Sequence, residues 1–249
     1  MRPMKSALLV FVAVTAAAAQ STDPLLSDTR LTVHTLLRED IFAGFRNDNM
    51  ERFAKGEQNI EILLKERPDQ RANLLAWKAL ASTYRAVRAH ESGQAEEFGR
   101  RYAEALDGFA AAAKLESGNG GVAAIAGGTF ALFADRLPEK HRAAAWSQAY
   151  DNYAMLWKQQ GEGIEKLPLH HKGEVLAGLA QSAQRTGRTD EVALYLDKML
   201  TLLADTPYET MAKQWKSDPA SAATTNLTCK GCHGPGRLAN RIEVLKQQQ

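Results

Sequence analysis

Cysteine is almost absent: two residues in 249, both inside one five-residue stretch. A disulfide-stapled scaffold is therefore excluded. Residues with β-branched side chains are sparse beside a large alanine content, which argues for helix and against sheet. The 8 prolines and 18 glycines fall mainly between periodic segments, where helix breakers belong. After residue 20 no run reaches the ~18 consecutive apolar residues that span a bilayer. Charge of one sign is also lacking, with 31 Lys and Arg against 29 Asp and Glu. Without a basic cluster, nucleic acid and anionic membrane surfaces are poor partners. There is no Walker loop, Gly-x-Ser-x-Gly, His-Glu-x-x-His or dinucleotide fingerprint. This points to a carrier or binding protein rather than a turnover enzyme.

The first 19 residues read as a Sec-type signal peptide. Arg2 and Lys5 form a short positive region, residues 7–14 are apolar, and Ala17, Ala18 and Ala19 supply small residues for cleavage. The alternative is an uncleaved N-terminal anchor. Cleavage removes two positive charges and leaves no net charge on the remainder. The expected destination is the periplasm of a bacterium, with no membrane span in the mature chain.

Residues 20–216 form the predicted helical domain. Its helices pair as 27–45 with 49–66, 70–90 with 95–115, 122–135 with 139–160, and 171–186 with 189–204. A short helix, 208–216, follows. A period of about 35–50 residues per antiparallel pair suggests an α-solenoid. The fourth pair carries Leu176, Leu179, Ala180 and Ala183, a turn at Gly187, then Val192, Leu196 and Met199. The second carries Trp77, Leu80, Ala81 and Tyr84, then Ala105, Phe109 and Ala112. This large-small-aromatic spacing resembles the tetratricopeptide repeat family, with some twelve extra residues, 90–101, between the matched halves of the second pair. The resemblance implies an all-α stack of helix pairs that docks a protein partner. Trp146, Tyr150, Tyr153 and Trp157 share one helix face; they read as core packing, or alternatively as a docking wall for a flat ligand or peptide.

Residues 217–249 read as a linker and an attachment segment. Its chemistry lies in Cys229-Lys230-Gly231-Cys232-His233. Two thiols separated by two residues suit thioether bonds to one porphyrin edge, and the adjacent imidazole suits the proximal position on the iron. The stretch resembles the attachment site of c-type cytochromes. That implies one covalent haem c held by Cys229 and Cys232, His233 as axial ligand, electron transfer as the activity, and a redox partner protein. Only 16 residues follow His233, and none is Met or His. The class I cytochrome fold, with its distal Met after the motif, is therefore excluded. The haem must be covered by upstream helices, by a partner, or by little. Distal candidates are His170 and His171, just after Pro168, and Met211; His34, His90 and His141 are the remaining histidines.

Alternatives stand beside this reading. One is an interaction scaffold whose haem is structural or sensory. Another is a haem-free thiol–disulfide protein, although no strand precedes Cys229 as in thioredoxin-like sites. Structural zinc needs four ligands, more than two Cys and one His provide.

Overall fold

The computed structural model describes residues 24–219 and 236–247. They are all-helical, and no strand occurs among them. A four-residue turn of helix, α1 (Pro24–Ser27), leads into α2 (Val33–Asn47) and α3 (Met50–Glu66). Then come α4 (Arg71–Glu91), α5 (Ala95–Leu115), α6 (Gly120–Phe133), α7 (Glu139–Gln160), α8 (Leu169–Arg185), α9 (Thr189–Leu202) and α10 (Pro207–Ser217). The last helix, α11, spans Arg237–Gln247.

Local chemistry sets these limits. Thr32, Asn49 and Asn119 cap α2, α3 and α6, their side chains accepting from the N–H of Thr35, Arg52 and Val122, which satisfies otherwise orphaned donors. The α8–α9 turn places Gly187 at φ +74°, a left-handed conformation that disfavours any side chain. Residues 90–101 do not form an added loop. Residues 92–94 make the turn, and the others belong to α4 and α5, which have 21 residues each.

Consecutive helices pack as α2/α3, α4/α5, α6/α7 and α8/α9, and the first members also touch, α2 to α4, α4 to α6 and α6 to α8. Composition explains who sits inside. On α4, residues such as Ala76, Trp77, Leu80, Thr83 and Val87 are buried around most of the circumference, so this helix needs neighbours on several sides. By contrast, α3 and α5 bury one stripe each, Phe53, Ile60 and Leu63 on the first and Phe98, Tyr102, Ala105, Phe109 and Ala112 on the second. Hydroxyls inside the core bond back to their own helices: Thr83 to the Ala79 carbonyl at 2.8 Å and Thr129 to that of Ile125 at 2.6 Å. The predicted start of the first helix at residue 27 is too early. The chain bends over residues 28–31 because the buried Arg67 guanidinium donates to the carbonyls of Leu26, Asp28 and Leu31.

Of the aromatic face of α7, Trp146 and Tyr153 are buried. Trp146 donates its indole N–H to Asp135 at 2.9 Å, and Arg185 lies 5.0 Å over its ring. Tyr150 donates to Glu191 beneath Arg188, while Trp157 meets Tyr195 and Lys198. The stripe packs α7 against α8 and α9. Tyr153 fills the space that side chains would occupy on two other helices. A Cβ on Gly127 of α6 would sit 3.2 Å from its ring, and one on Gly178 of α8 would overlap it.

α11 lies in the region read from sequence as linker and attachment segment, and no helix was expected there. Leu238, Ile242 and Leu245 supply its apolar stripe, and Leu245 is buried. It packs on α2, where Glu39 accepts from the Leu238 N–H at 2.9 Å. A carboxylate at a helix N-terminus is favourable on its own.

Gly178→Ala is expected to cost about 1–3 kcal/mol, because the fully buried Tyr153 ring cannot yield. Gly99→Ala, on the open face of α5 with nothing near its Cβ position, is expected to gain up to about 1 kcal/mol. Urea denaturation of the two variants checks this; equal effects would contradict the packing described.

Candidate functional site

The first helices of the four pairs do not close completely on one another. Between α2, α4, α6 and α8, and the C-terminal end of α7, lies a cavity of about 490 Å³, within the ~300–1,000 Å³ usual for ligand sites. Phe42, Trp77, Leu80, Ile125, Leu132 and Val175 give it an apolar lining. His34 and Arg38 enter one turn apart on α2, and His170, His171 and Glu174 enter from the start of α8.

Pro168 precedes α8 and fixes where that helix begins, which puts both adjacent histidines in its first turn. The rings of His170 and His171 lie 5.7 Å apart. Glu174, one turn on, brings a carboxylate oxygen within 3.4 Å of His170 Nε2. Its side chain keeps 21% of its surface open, yet the carboxyl is enclosed closely enough that desolvation pushes it from 4.5 up to about 7. His34 moves the other way, from 6.5 down to about 4. Burial is the main cause, and the positive neighbours Arg38, His170 and His171 add to it. Its ring meets Trp77 edge-on at 5.0 Å. The Trp77 indole N–H, on a residue 1% exposed, has no hydrogen-bond partner among the described residues. A buried donor left unpaired is unfavourable unless something else accepts from it.

The sequence-derived candidates separate here. His170 and His171 both line the cavity. Met211 sits on α10, packed against the core, and does not. His90 and His141 flank Phe98 in an aromatic cluster elsewhere. Cys229, Cys232 and His233 lie outside the described residues. The described chain on either side of them is held by two of the cavity's helices. Gln184 of α8 donates to the Pro219 carbonyl at 2.5 Å, and Glu39 of α2 receives the start of α11. Sequence reasoning did not single out Arg38 or Glu174, and it placed Trp77 only in the packing pattern of the second helix pair. The spacings His34–Arg38 and His170–Glu174, each one helical turn, were the available signal.

Among the described residues no three His, Cys, Asp or Glu side chains converge to hold a metal ion, and no helix is long and apolar enough to cross a membrane. Compared with protein-family models, curated proteins and solved structures, the chain matches none.

The two shifted groups act on stability in opposite directions. The folded state holds the Glu174 proton more tightly than the unfolded state, so its contribution falls as pH rises from about 4.5 to 7. The unfolded state holds the His34 proton more tightly, so that contribution falls as pH drops from about 6.5 to 4. Glu174→Gln is expected to leave a stability that rises with pH across the acid range, and His34→Gln one that falls. Each effect is on the order of 1–3 kcal/mol. Denaturant titrations at a series of pH values check this; two variants that track the wild type would contradict it.

Proposed function

We propose that this is an exported single-haem c-type protein that transfers electrons, its haem covalently held by Cys229 and Cys232, with His233 as proximal ligand. The helix pairs are read as a tetratricopeptide-like α-solenoid that both covers the haem and docks a redox partner. The contacts of α2 with α4, α4 with α6 and α6 with α8 support that stacking. Residues 1–19 are read as the signal peptide that takes the chain to the periplasm, where such attachment is made.

The observation that carries the proposal is a cavity lined by His34, His170 and His171, two of whose helices hold the described chain on either side of the Cys-x-x-Cys-His stretch. Four residues lie between His233 and Leu238, five steps along the chain, so the tether spans at most about 18 Å. Leu238 is fixed on α2, whose next residue toward the N-terminus, Arg38, lines the cavity. The lining suits a tetrapyrrole: an apolar floor for the ring, a buried indole donor, and imidazoles of the type that ligate haem iron. Bound there, a haem supplies one-electron exchange at its iron. The chain's own part is to exclude water with Phe42, Leu80 and Ile125, and to orient an imidazole. Glu174 beside His170 matches the carboxylate–histidine pairing that fixes ring orientation behind a metal.

Absorption spectroscopy of the natively matured protein tests this. A red protein with low-spin, six-coordinate iron is expected. Replacing by Ala whichever of His170 and His171 is the sixth ligand is expected to convert it to a high-spin form that binds carbon monoxide, and replacing the other to leave it low-spin. A colourless protein with one disulfide would favour the thiol–disulfide alternative. A high-spin wild type would favour a sensory haem on a scaffold.

A further inference from the structure

A series of rings runs from the cavity wall toward the far end of the helices. Trp77 of α4 and Phe42 of α2 line the cavity and meet edge-on at 6.3 Å. One turn further along α2, Phe45 tilts against Phe42 at 4.5 Å. Phe45 in turn meets Tyr84 at 5.5 Å and Phe133 at 5.4 Å, and Tyr84 stacks on Phe133 at 5.7 Å. Each separation is that of a direct ring pair, ~4.5–7 Å between centroids. Phe45 is only partly buried and lies two residues before the end of α2. Arg88 and Arg136 stand 6.0 and 5.9 Å from the Tyr84 ring and reach solvent in ion pairs with Asp48 and Glu91. Other ring contacts, such as Phe98 with Tyr102 and Phe109 with Phe130, include no cavity residue.

We infer that Trp77, Phe42 and Phe45 form the electron route between the cavity and solvent at the C-terminal ends of α2 and α4, an inference that rests on the proposed haem site. Electron tunnelling weakens steeply with distance, and rings in direct contact couple donor to acceptor better than saturated side chains do. The rings are a bridge and are not themselves oxidised. Tyr84 donates its O–H to the Gly44 carbonyl at 3.0 Å, which cannot keep a proton, and the two guanidiniums over its ring oppose a positive charge there. One electron leaves the iron, Fe(II) becoming Fe(III), and a one-electron acceptor outside the chain gains it. No bond breaks and no proton moves. The redox partner then receives the electron beside Phe45, on a face where Arg88 and Arg136 are each matched by an acid, and away from the cavity rim where His171 is exposed.

The test uses the full-length, haem-loaded protein with one added surface cysteine, Asn47→Cys beside Phe45 or Ser147→Cys on the exposed face of α7, labelled with a ruthenium polypyridyl photo-oxidant. Flash photolysis reads the rate at which each label draws an electron from the reduced haem, and equilibrium titration reads the reduction potential. Phe45→Leu is expected to slow transfer to the label at position 47 severalfold, and to leave both the transfer to position 147 and the potential unchanged. Phe45→Tyr, which keeps the ring, is expected to retain the wild-type rate. Equal rates in Phe45→Leu and wild type would overturn this inference and leave the haem site standing. So would a rate lost equally at both labels, since Phe45 would then act on the haem pocket and not on the route. A wild-type chain carrying no haem would overturn both. If Phe45→Leu fails to accumulate, Phe45→Met, whose flexible side chain fills irregular gaps, takes its place and is read by the same outcomes.

Discussion

Tyr153 sets the spacing on which the interior depends. Its ring, fully buried, occupies space left by Gly127 on α6 and Gly178 on α8. The three helices α6, α7 and α8 are thereby held at separations that side chains at either glycine would not allow. Protein interiors are packed densely enough that such a contact passes its position to everything resting on it. What rests on it here is the wall of the cavity. α6 carries Ile125 and Leu132 on the same body as Gly127, and α8 carries His170, His171 and Glu174 a few residues before Gly178. The cavity's width follows from this lock, and α2 and α4 complete its perimeter from the other side.

The helices were largely legible in the sequence because their punctuation is local. Pro68, Pro138, Pro168, Pro207 and Gly187 sit at or near element ends, as their backbone chemistry requires. The ends of α3, α5 and α7 agree with the expected 66, 115 and 160. Misses occurred where a distant group decides. The start of α2 shifts because Arg67 gathers carbonyls nearly forty residues away in sequence. α11 was overlooked because its stripe of Leu238, Ile242 and Leu245 is short, and only the α2 surface makes it worth burying. The α7 aromatics, read as core, do pack against α8 and α9, with cations over three of them.

The candidate site was legible only in its parts. His170 and His171 stood out as adjacent histidines after a proline, but nothing in their neighbourhood indicates Arg38 or Trp77. Those residues lie some hundred positions upstream and meet the histidines only through the packing of α2, α4, α6 and α8. The proposed attachment stretch is read from spacing alone, since the chemistry assigned to it needs five consecutive residues and no fold. Anchors at Gln184 and Glu39 tie the described chain on either side of it to two of the helices that line the cavity.

Intact-mass spectrometry of the exported protein, matured in a host that attaches haem, tests the central claim most directly. The account requires the leader-free polypeptide plus one covalent tetrapyrrole, with that added mass lost when Cys229 and Cys232 are both replaced by Ala. A wild-type mass equal to the bare polypeptide would contradict it.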